Sequence, residues 1–224
     1  MIRHFRHIVA LWIMLASTLS AMAYTISDFF ANDIKGVYTV FTITPSMRLD
    51  LMDYYKANYN YVDGVDVYNG RVLLDTISDN YMHFASSEAT TTLWLADTKA
   101  KRSKAIVMSI ITIDKPYKTS LLQFCNGEME DAFKKYDNGK FIKEPTIDDF
   151  IITTNDGQGL DRQEIKDIID VPYIEYEFNP STLTLSARQC VEQTLTKEDW
   201  EKISKYLRGE ILYQWKGNKF VRLK

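Results

Sequence analysis

Few side chains in this sequence could move a proton or hold a metal. Beyond residue 23 the chain carries one histidine, His83, within Tyr81-Met82-His83-Phe84. A His-rich metal site or an HExxH zinc helix needs a second imidazole, so neither can be built. A Ser-His-Asp triad would have to use His83, yet no G-x-S-x-G turn presents a serine. A Cys-His pair through Cys125 or Cys190 has no supporting flanking sequence. His83 therefore reads as a face residue of a β-sheet. Acid pairs are present at Asp50/Asp53, Glu128/Glu130/Asp131 and Asp148/Asp149. Two such acids could in principle run a glycosidase-like hydrolysis, although acids at this spacing on helices usually form solvated faces.

Asn155-Asp156-Gly157-Gln158-Gly159-Leu160-Asp161 has the look of a calcium loop. With Gly159 at the glycine position, Thr154, Asp156 and Gln158 fall at the first three ligand positions. Ile165 then stands where a bidentate acid is required, so the stretch reads as a polar turn before a helix. There is no P-loop and no G-x-G-x-x-G. The sequence therefore assigns no catalytic residue, no metal ligand and no cofactor.

What remains is aromatic density. Tyr54, Tyr55, Tyr59, Tyr61 and Tyr68 fall within 15 residues. Helix, loop and strand spacing point them in different directions, so one buried face cannot hold all five. Exposed members would suit a binding surface, because tyrosine offers a large apolar face with a polar tip. Core packing is the plain alternative.

The first 23 residues explain where such a surface would work. Met1–His7 carries Arg3 and Arg6 and no acid, Ile8–Ala16 is apolar, and Ala21-Met22-Ala23 has the A-x-A form of a cleavage site. These are the three parts of a secretory signal peptide. The apolar run is well below the ~20 residues that span a bilayer, and no later stretch is long and apolar enough. Cleavage would start the mature chain at Tyr24 and send it to the periplasm or beyond as a soluble protein. Removing Arg3 and Arg6 leaves 25 basic residues against 30 acidic, a net charge of −5. A mildly acidic chain has no electrostatic footprint for nucleic acid. The one basic run, Lys99-Ala100-Lys101-Arg102-Ser103-Lys104, reads as a solvated turn. An exported chain with two cysteines, Cys125 and Cys190, can hold one disulfide or two buried thiols. The sequence leaves both readings open.

The elements that would position these residues are legible in part. Ser27-Asp28 caps a short helix through Phe29-Phe30. Val37–Thr44 is β-branched and aromatic, which favours strand, although so short an apolar run is ambiguous with helix. Thr44-Pro45 starts a helix whose Met47, Leu51 and Tyr54/Tyr55 share a face, ending near Asn58. Val65–Tyr68 and Arg71–Thr76 flank Asn69-Gly70, a strong hairpin signal. Tyr81–Ala85, Thr90–Ala96, Lys104–Ile113 and Ser120–Cys125 continue an antiparallel meander. Glu128–Tyr136 and Asp161–Ile169 read as helices, Pro172–Phe178 and Leu183–Ala187 as strands. Thr196 opens a helix bearing Trp200, Ile203 and Leu207, with Gly209 closing it. Glu210–Trp215 and Lys219–Leu223 form a last hairpin. This is an α+β pattern of antiparallel sheet and helices. It makes a single domain over 24–224, with tandem helix-plus-sheet halves at 24–125 and 126–224 as a further reading. That order is similar to the tandem fold of β-lactamase-inhibitor proteins, as an analogy of fold.

Four segments together resemble an exported protein family restricted to Bacteroidales, domain-of-unknown-function family 3256. They are Arg48-Leu49-Asp50-Leu51-Met52-Asp53-Tyr54-Tyr55, the turn Asp79-Asn80-Tyr81, Val107-Met108-Ser109-Ile110-Ile111-Thr112-Ile113-Asp114-Lys115-Pro116 running on to Ser120, and Ile211-Leu212-Tyr213-Gln214-Trp215-Lys216-Gly217-Asn218-Lys219-Phe220. One departure lies after Cys125, where Glu128-Met129-Glu130 replaces the tyrosine and tryptophan usual in the family. The resemblance implies an exported α+β protein and supplies no activity, cofactor or catalytic residue. The expectation is a non-catalytic envelope protein that binds a protein or glycan partner. The alternative is a carboxylate-based hydrolase.

Overall fold

Short β-branched runs separated by polar turns leave the chain after Arg71 little choice but to fold back on itself strand by strand. In the computed structural model, which describes residues 24–31, 43–58, 61–62, 71–87, 89–97, 99, 104–126, 136–152 and 159–223, it does so. Strands β1 (Tyr61–Val62), β2 (Val72–Ile77), β3 (Tyr81–Ala85), β4 (Ala89–Leu95), β5 (Val107–Ile113) and β6 (Thr119–Cys125) pair in sequence order. A second sheet has the order β10-β9-β8-β7, from β7 (Ile174–Asn179), β8 (Thr184–Gln189), β9 (Glu210–Trp215) and β10 (Phe220–Arg222). Every pairing is antiparallel. The helices are α1 (Ile26–Ala31), α2 (Pro45–Lys56), α3 (Ile147–Phe150), α4 (Arg162–Ile168) and α5 (Lys197–Ile203). The fold is α+β with two antiparallel sheets.

The signal peptide, Val37–Thr42, the Val65–Gly70 hairpin arm and turn, and the helix expected from Glu128 to Lys135 lie outside the described residues. Three local expectations change. Thr25, not Ser27 or Asp28, caps α1: the Asp28 N–H donates to Thr25 Oγ1 at 3.2 Å, and the Asp28 carboxylate accepts from the Thr25 N–H at 2.8 Å. Gly209 does not close α5, which passes at Ile203 into a 3-10 turn, Ser204–Tyr206, and leaves Gly209 at the entry to β9. Helix α3 had no expectation at all; it forms around a capping box between Thr146 and Asp149.

The first sheet is the middle layer. Residues opposite each other in an antiparallel ladder share a face, so the registers sort its side chains. Leu74, Met82, Leu93, Leu95 and Val107 face α1 and α2, meeting Ile26, Phe30 and Leu51 in one cluster. Trp94, Met108, Ile110, Leu122 and Phe124 face the other way, onto Tyr176, Phe178, Leu185, Tyr213 and Trp215 of the second sheet. A third cluster, with Ile151, Ile165, Ile203 and Leu207, joins α3, α4 and α5.

The buried stripe of α2 contains a charge. Arg48 is fully buried and donates from Nε to the Ile43 carbonyl at 3.3 Å and from Nη1 to the Phe30 carbonyl at 3.2 Å. Its guanidinium lies 5.9 Å from the Phe30 ring centroid. It thus joins the end of α1 to the start of α2, using the fixed fork and flat face that distinguish arginine from lysine. No helix among the described residues is long and apolar enough to cross a membrane.

Candidate functional site

The second sheet has fewer strands than the first and leaves part of the inner face uncovered. There the alternation of β3, β4 and β5 places polar side chains where the covered part has Trp94 and Met108. His83 stands opposite Thr92, and Thr90 opposite Thr112, all on the face turned toward the second sheet. Tyr81, opposite Trp94, completes the floor. The outer edge of β7 forms the wall, with Glu175, Tyr176, Glu177 and Phe178. Together they enclose a groove of about 380 Å³ that also takes in Asp75, Asp114 and Lys118.

Asp75 reaches the groove because of an irregularity. The β2–β3 register shifts between Leu74 and Thr76, leaving Asp75 as the extra residue of a bulge. Its carboxylate lies 3.4 Å from His83 Nδ1. Lys118 closes the far end. Its ammonium is 2.6 Å from Glu175 Oε1 and 3.9 Å from Asp114 Oδ1. Arg188 Nη1 stands 3.6 Å from the other Glu175 oxygen. The Lys118 backbone is itself held, since its N–H donates to Gln193 Oε1 at 2.7 Å and its carbonyl accepts from Gln193 Nε2 at 2.8 Å. A hydroxyl chain links the sheets beneath: the Tyr176 N–H donates to Ser120 Oγ at 3.0 Å, and Ser120 Oγ lies 2.7 Å from Thr112 Oγ1.

The electrostatics fix the protonation states that matter. Burial, together with the nearby carboxylates of Asp75 and Glu177, pushes the Tyr81 phenol above its ordinary range despite a hydrogen bond with Thr92. Tyr81 is thus a neutral hydroxyl and not a phenolate. The Glu175 hydrogen bond raises Lys118, so its amine stays charged and is no nucleophile. Four carboxylates against one lysine make the groove acidic. Among the described residues no group of three or more His, Cys, Asp or Glu is arranged to hold a metal ion. The arrangement offers hydroxyl donors and acceptors, aromatic edges and negative charge. It suits binding of a polar cationic ligand.

The residues singled out in sequence lie elsewhere. Tyr54 is 48% exposed on α2. Tyr55 packs half-buried against the helix-side core and lines a second hollow of about 540 Å³ with Met52, Lys56, Ile77 and Asp79. Tyr61 opens β1 opposite Leu73, with its side chain outside the described residues, as are Tyr59 and Tyr68. The structure thus brings Tyr54 and Tyr55 onto one helix, on the opposite side of the first sheet from the groove. Cys125 and Cys190 are two free thiols, the first at the end of β6 and the second after β8. The local acid pairs are engaged in ordinary ways. Asp53 pairs with Lys56, Asp148 with Arg162 and Lys166, and Asp149 with Arg222. Asp50 is exposed, and Glu128, Glu130 and Asp131 lie outside the described residues.

The groove residues escaped the sequence reading because they come from distant segments. One signal was available: Tyr81 and His83 alternate with the apolar Met82 and Phe84 of β3, which marks a more polar face, whereas Thr90-Thr91-Thr92 of β4 carries no such alternation.

The architecture is similar to that of a solved domain of an uncharacterized protein from Porphyromonas gingivalis W83, with a TM-score of 0.68 at 21% sequence identity, covering 88% of this chain and 98% of that one. At that identity the likeness speaks to fold alone. No curated protein shows a significant sequence match. The four segments that carry the family resemblance fall on α2, the β2–β3 turn, β5 with its following loop, and the β9–β10 hairpin, so the likeness follows the framework and not the groove alone. Residues 18–220 match the family model described as "Protein of unknown function (DUF3256)", and the chain belongs to that family.

Proposed function

We propose that the protein is exported and acts by binding, with the groove between the two sheets as its ligand site. The observation that carries this reading is a polar, acidic, open groove whose proton-active groups are already committed. Lys118 is locked in its ion pairs, Tyr81 is held neutral, and His83 faces Asp75. Export is supported by the leader and by the use the fold makes of the chain right after it. Tyr24 and Ile26 are buried, and the Ile26 N–H donates to the Asp79 carbonyl at 2.8 Å. The Ala21-Met22-Ala23 cleavage form places the proposed mature N-terminus at Tyr24, which leaves these contacts intact.

The hydrolase alternative draws on one distance relation. Asp114 and Glu175 both approach the Lys118 ammonium, so these two oxygens lie no more than about 6.5 Å apart, a bound that admits the ~5–5.5 Å of retaining glycosidases. The ammonium, however, occupies the space where a water or glycosidic oxygen would sit. A second contact surface at Tyr54 and Tyr55 is favoured by the exposure of Tyr54 and the hollow beside Tyr55.

The test is a titration of the mature protein, followed by amide NMR, with lysine-rich peptides, polyamines and neutral oligosaccharides. Shifts at Tyr81, Thr92 and Glu177 with the cationic ligands support the groove. Shifts confined to Tyr54 and Tyr55 place binding on α2 instead. Glycan turnover that disappears in Asp114→Asn would establish the hydrolase and end the binding reading. N-terminal sequencing of protein recovered from the envelope should start at Tyr24; recovery with Met1 intact in a membrane fraction would overturn export.

A further inference from the structure

A sheet edge presents a row of N–H and C=O groups that must be paired, covered or left to water. The outer edges of the two sheets differ in which of these groups are covered, and of β6, β7 and β10 only β7 lines the groove. On β6 two outward carbonyls are covered, and the residue just before the strand is tied down. The Leu122 carbonyl accepts from Asn138 Nδ2 at 2.8 Å, the Phe124 carbonyl accepts from the Tyr136 N–H at 2.8 Å, and Lys118 is held by Gln193. On β10 the Phe220 N–H donates to the Phe141 carbonyl at 2.7 Å.

Strand β7 is covered along half its length. Its even-numbered residues turn their backbone groups away from β8, because the Tyr176 N–H reaches Ser120 Oγ at 3.0 Å and the Ile174 carbonyl accepts from Thr119 Oγ1 at 3.5 Å. The same alternation sends the Tyr176 carbonyl and both the N–H and the carbonyl of Phe178 outward. None of these three has a hydrogen-bond partner among the described residues. They border the groove.

We infer that the groove receives a basic peptide in extended conformation, added as a fifth strand to the outer edge of β7. The inference rests on the reading of the groove as the binding site and names its occupant. Three observations converge on it. The open backbone groups supply the main-chain bonds that strand addition requires. The second sheet has four strands over a six-stranded partner, so an added strand would cover the exposed floor at His83 and Thr92. The charge selects the sequence. Glu177 on the open segment has no ion-pair partner among the described residues, and Asp75, which accepts from the Thr76 hydroxyl at 3.2 Å, has His83 as its one basic neighbour among them. Side chains alternate along the added strand. Those on the solvent side meet Glu177, where a cross-strand opposite charge is favourable. Those on the inner side meet threonine hydroxyls, where short polar residues fit. The ligand pattern is thus lysine or arginine alternating with serine or threonine.

The test uses the mature protein and a fluorescent seven-residue peptide of alternating lysine and threonine. Its controls are the glutamate-threonine counterpart and the same lysine peptide with its backbone nitrogens methylated. The lysine peptide should bind and slow hydrogen exchange at the Phe178 amide. Backbone methylation should weaken it by about ten-fold or more, the loss expected for one to two hydrogen bonds. Glu177→Lys, at an exposed position that does not disturb the core, should weaken it similarly and favour the glutamate peptide. Equal affinity of the methylated peptide, still sensitive to Glu177→Lys, would overturn strand addition and leave the groove as a cation site. No groove shifts with any cationic ligand would overturn both. A dimer with a protected Phe178 amide in the absence of peptide would overturn the inference by making a second copy the occupant.

Discussion

Lys118 Nζ lies 2.6 Å from Glu175 Oε1 and so ties the loop between β5 and β6 to the first strand of the other sheet. The pair sits at the end of the groove and sets its length. Its pH dependence has a definite sign. Lys118 is raised in the fold by the Glu175 hydrogen bond, so its contribution is fully present below the lysine value of the unfolded chain, about 10.4. It is lost as pH rises through the higher folded value. The Lys118 side chain is 43% exposed, so solvent screening keeps the effect under about 1 kcal/mol. Thermal melts between about pH 9 and 11.5 should show wild type losing its advantage over Lys118→Gln. A constant gap across that range would show that the pair contributes nothing to the fold.

Asp149 is the acid-side counterpart. Its carboxylate accepts from the Thr146 N–H at 2.9 Å and from Arg222 Nη1 at 2.7 Å. The Thr146 backbone hydrogen bond, with Arg222 behind it, holds the carboxyl below its usual range even though burial pushes the other way. The stabilisation is therefore present above about pH 3.9 and disappears as pH falls through the lower folded value. Asp149→Asn removes one end of the α3 capping box and the β10 ion pair, a cost on the order of 1–2 kcal/mol. Urea melts at neutral pH should show that loss, and the difference from wild type should shrink toward pH 2 to 3. A variant as stable as wild type at pH 7 would mean that α3 is held by the packing of Phe150 alone.

The same residues show what sequence could convey. Strands β3 to β6 were legible because short runs lie between turn residues: Met82/Phe84 alternate with Tyr81 and His83 in β3, and the nearly all-apolar Ala105–Ile111 marks β5 as a central strand. The helix start at Thr44-Pro45 and the Thr196 cap were legible because capping is local chemistry. Arg48 was not, because a charged residue signals a solvated face unless its carbonyl partners are known, and those belong to Phe30 and Ile43. Asp75 was not, since a bulge depends on the register of a partner strand. Adjacent acids such as Asp148/Asp149 drew notice by proximity in sequence, yet they serve a helix end. The groove acids Asp75, Asp114 and Glu175 are separated by tens of residues and meet only when the sheets pack. His83 does sit on a sheet face, as expected, but what that face looks onto is a property of the other sheet.

The two thiols should behave differently. Burial pushes the Cys125 thiol up to about 12, whereas Cys190 is only half-buried, raised by burial and by the Glu175 charge. Alkylation follows thiolate fraction and access. At mildly alkaline pH the native protein should take up one label, at Cys190, with Cys125 modified only after unfolding. Peptide mapping by mass spectrometry reads both sites. A bridged Cys125–Cys190 peptide from non-reduced protein would show that the oxidised form departs from the arrangement described here.

Trp94 is the joint between the sheets, and its indole tests how that joint is made. Its ring lies 4.8 Å from Phe178, 5.2 Å edge-on from Trp215 and 6.1 Å from Phe220. It thus carries β4 of the first sheet into β7, β9 and β10 of the second. Truncation to alanine should cost about 3–5 kcal/mol, the range for large aromatic residues in packed cores. Phenylalanine is a sharper probe. The Trp94 indole N–H is buried without a hydrogen-bond partner among the described residues, and an unsatisfied buried donor costs roughly 1–3 kcal/mol. Trp94→Phe removes that donor while keeping most of the ring contacts, so the recovered desolvation offsets part of the lost volume. The phenylalanine variant should therefore lose less than about half of what the alanine variant loses. Because Phe178 carries the open edge of β7, the alanine variant should also loosen the groove wall, read as faster hydrogen exchange at Tyr176 and Phe178. Equal losses for the two variants would mean that the indole N–H has a partner in solution. Unchanged exchange at β7 in the alanine variant would show that the groove wall is held by the Lys118–Glu175 pair and the Ser120 bridge without help from the core.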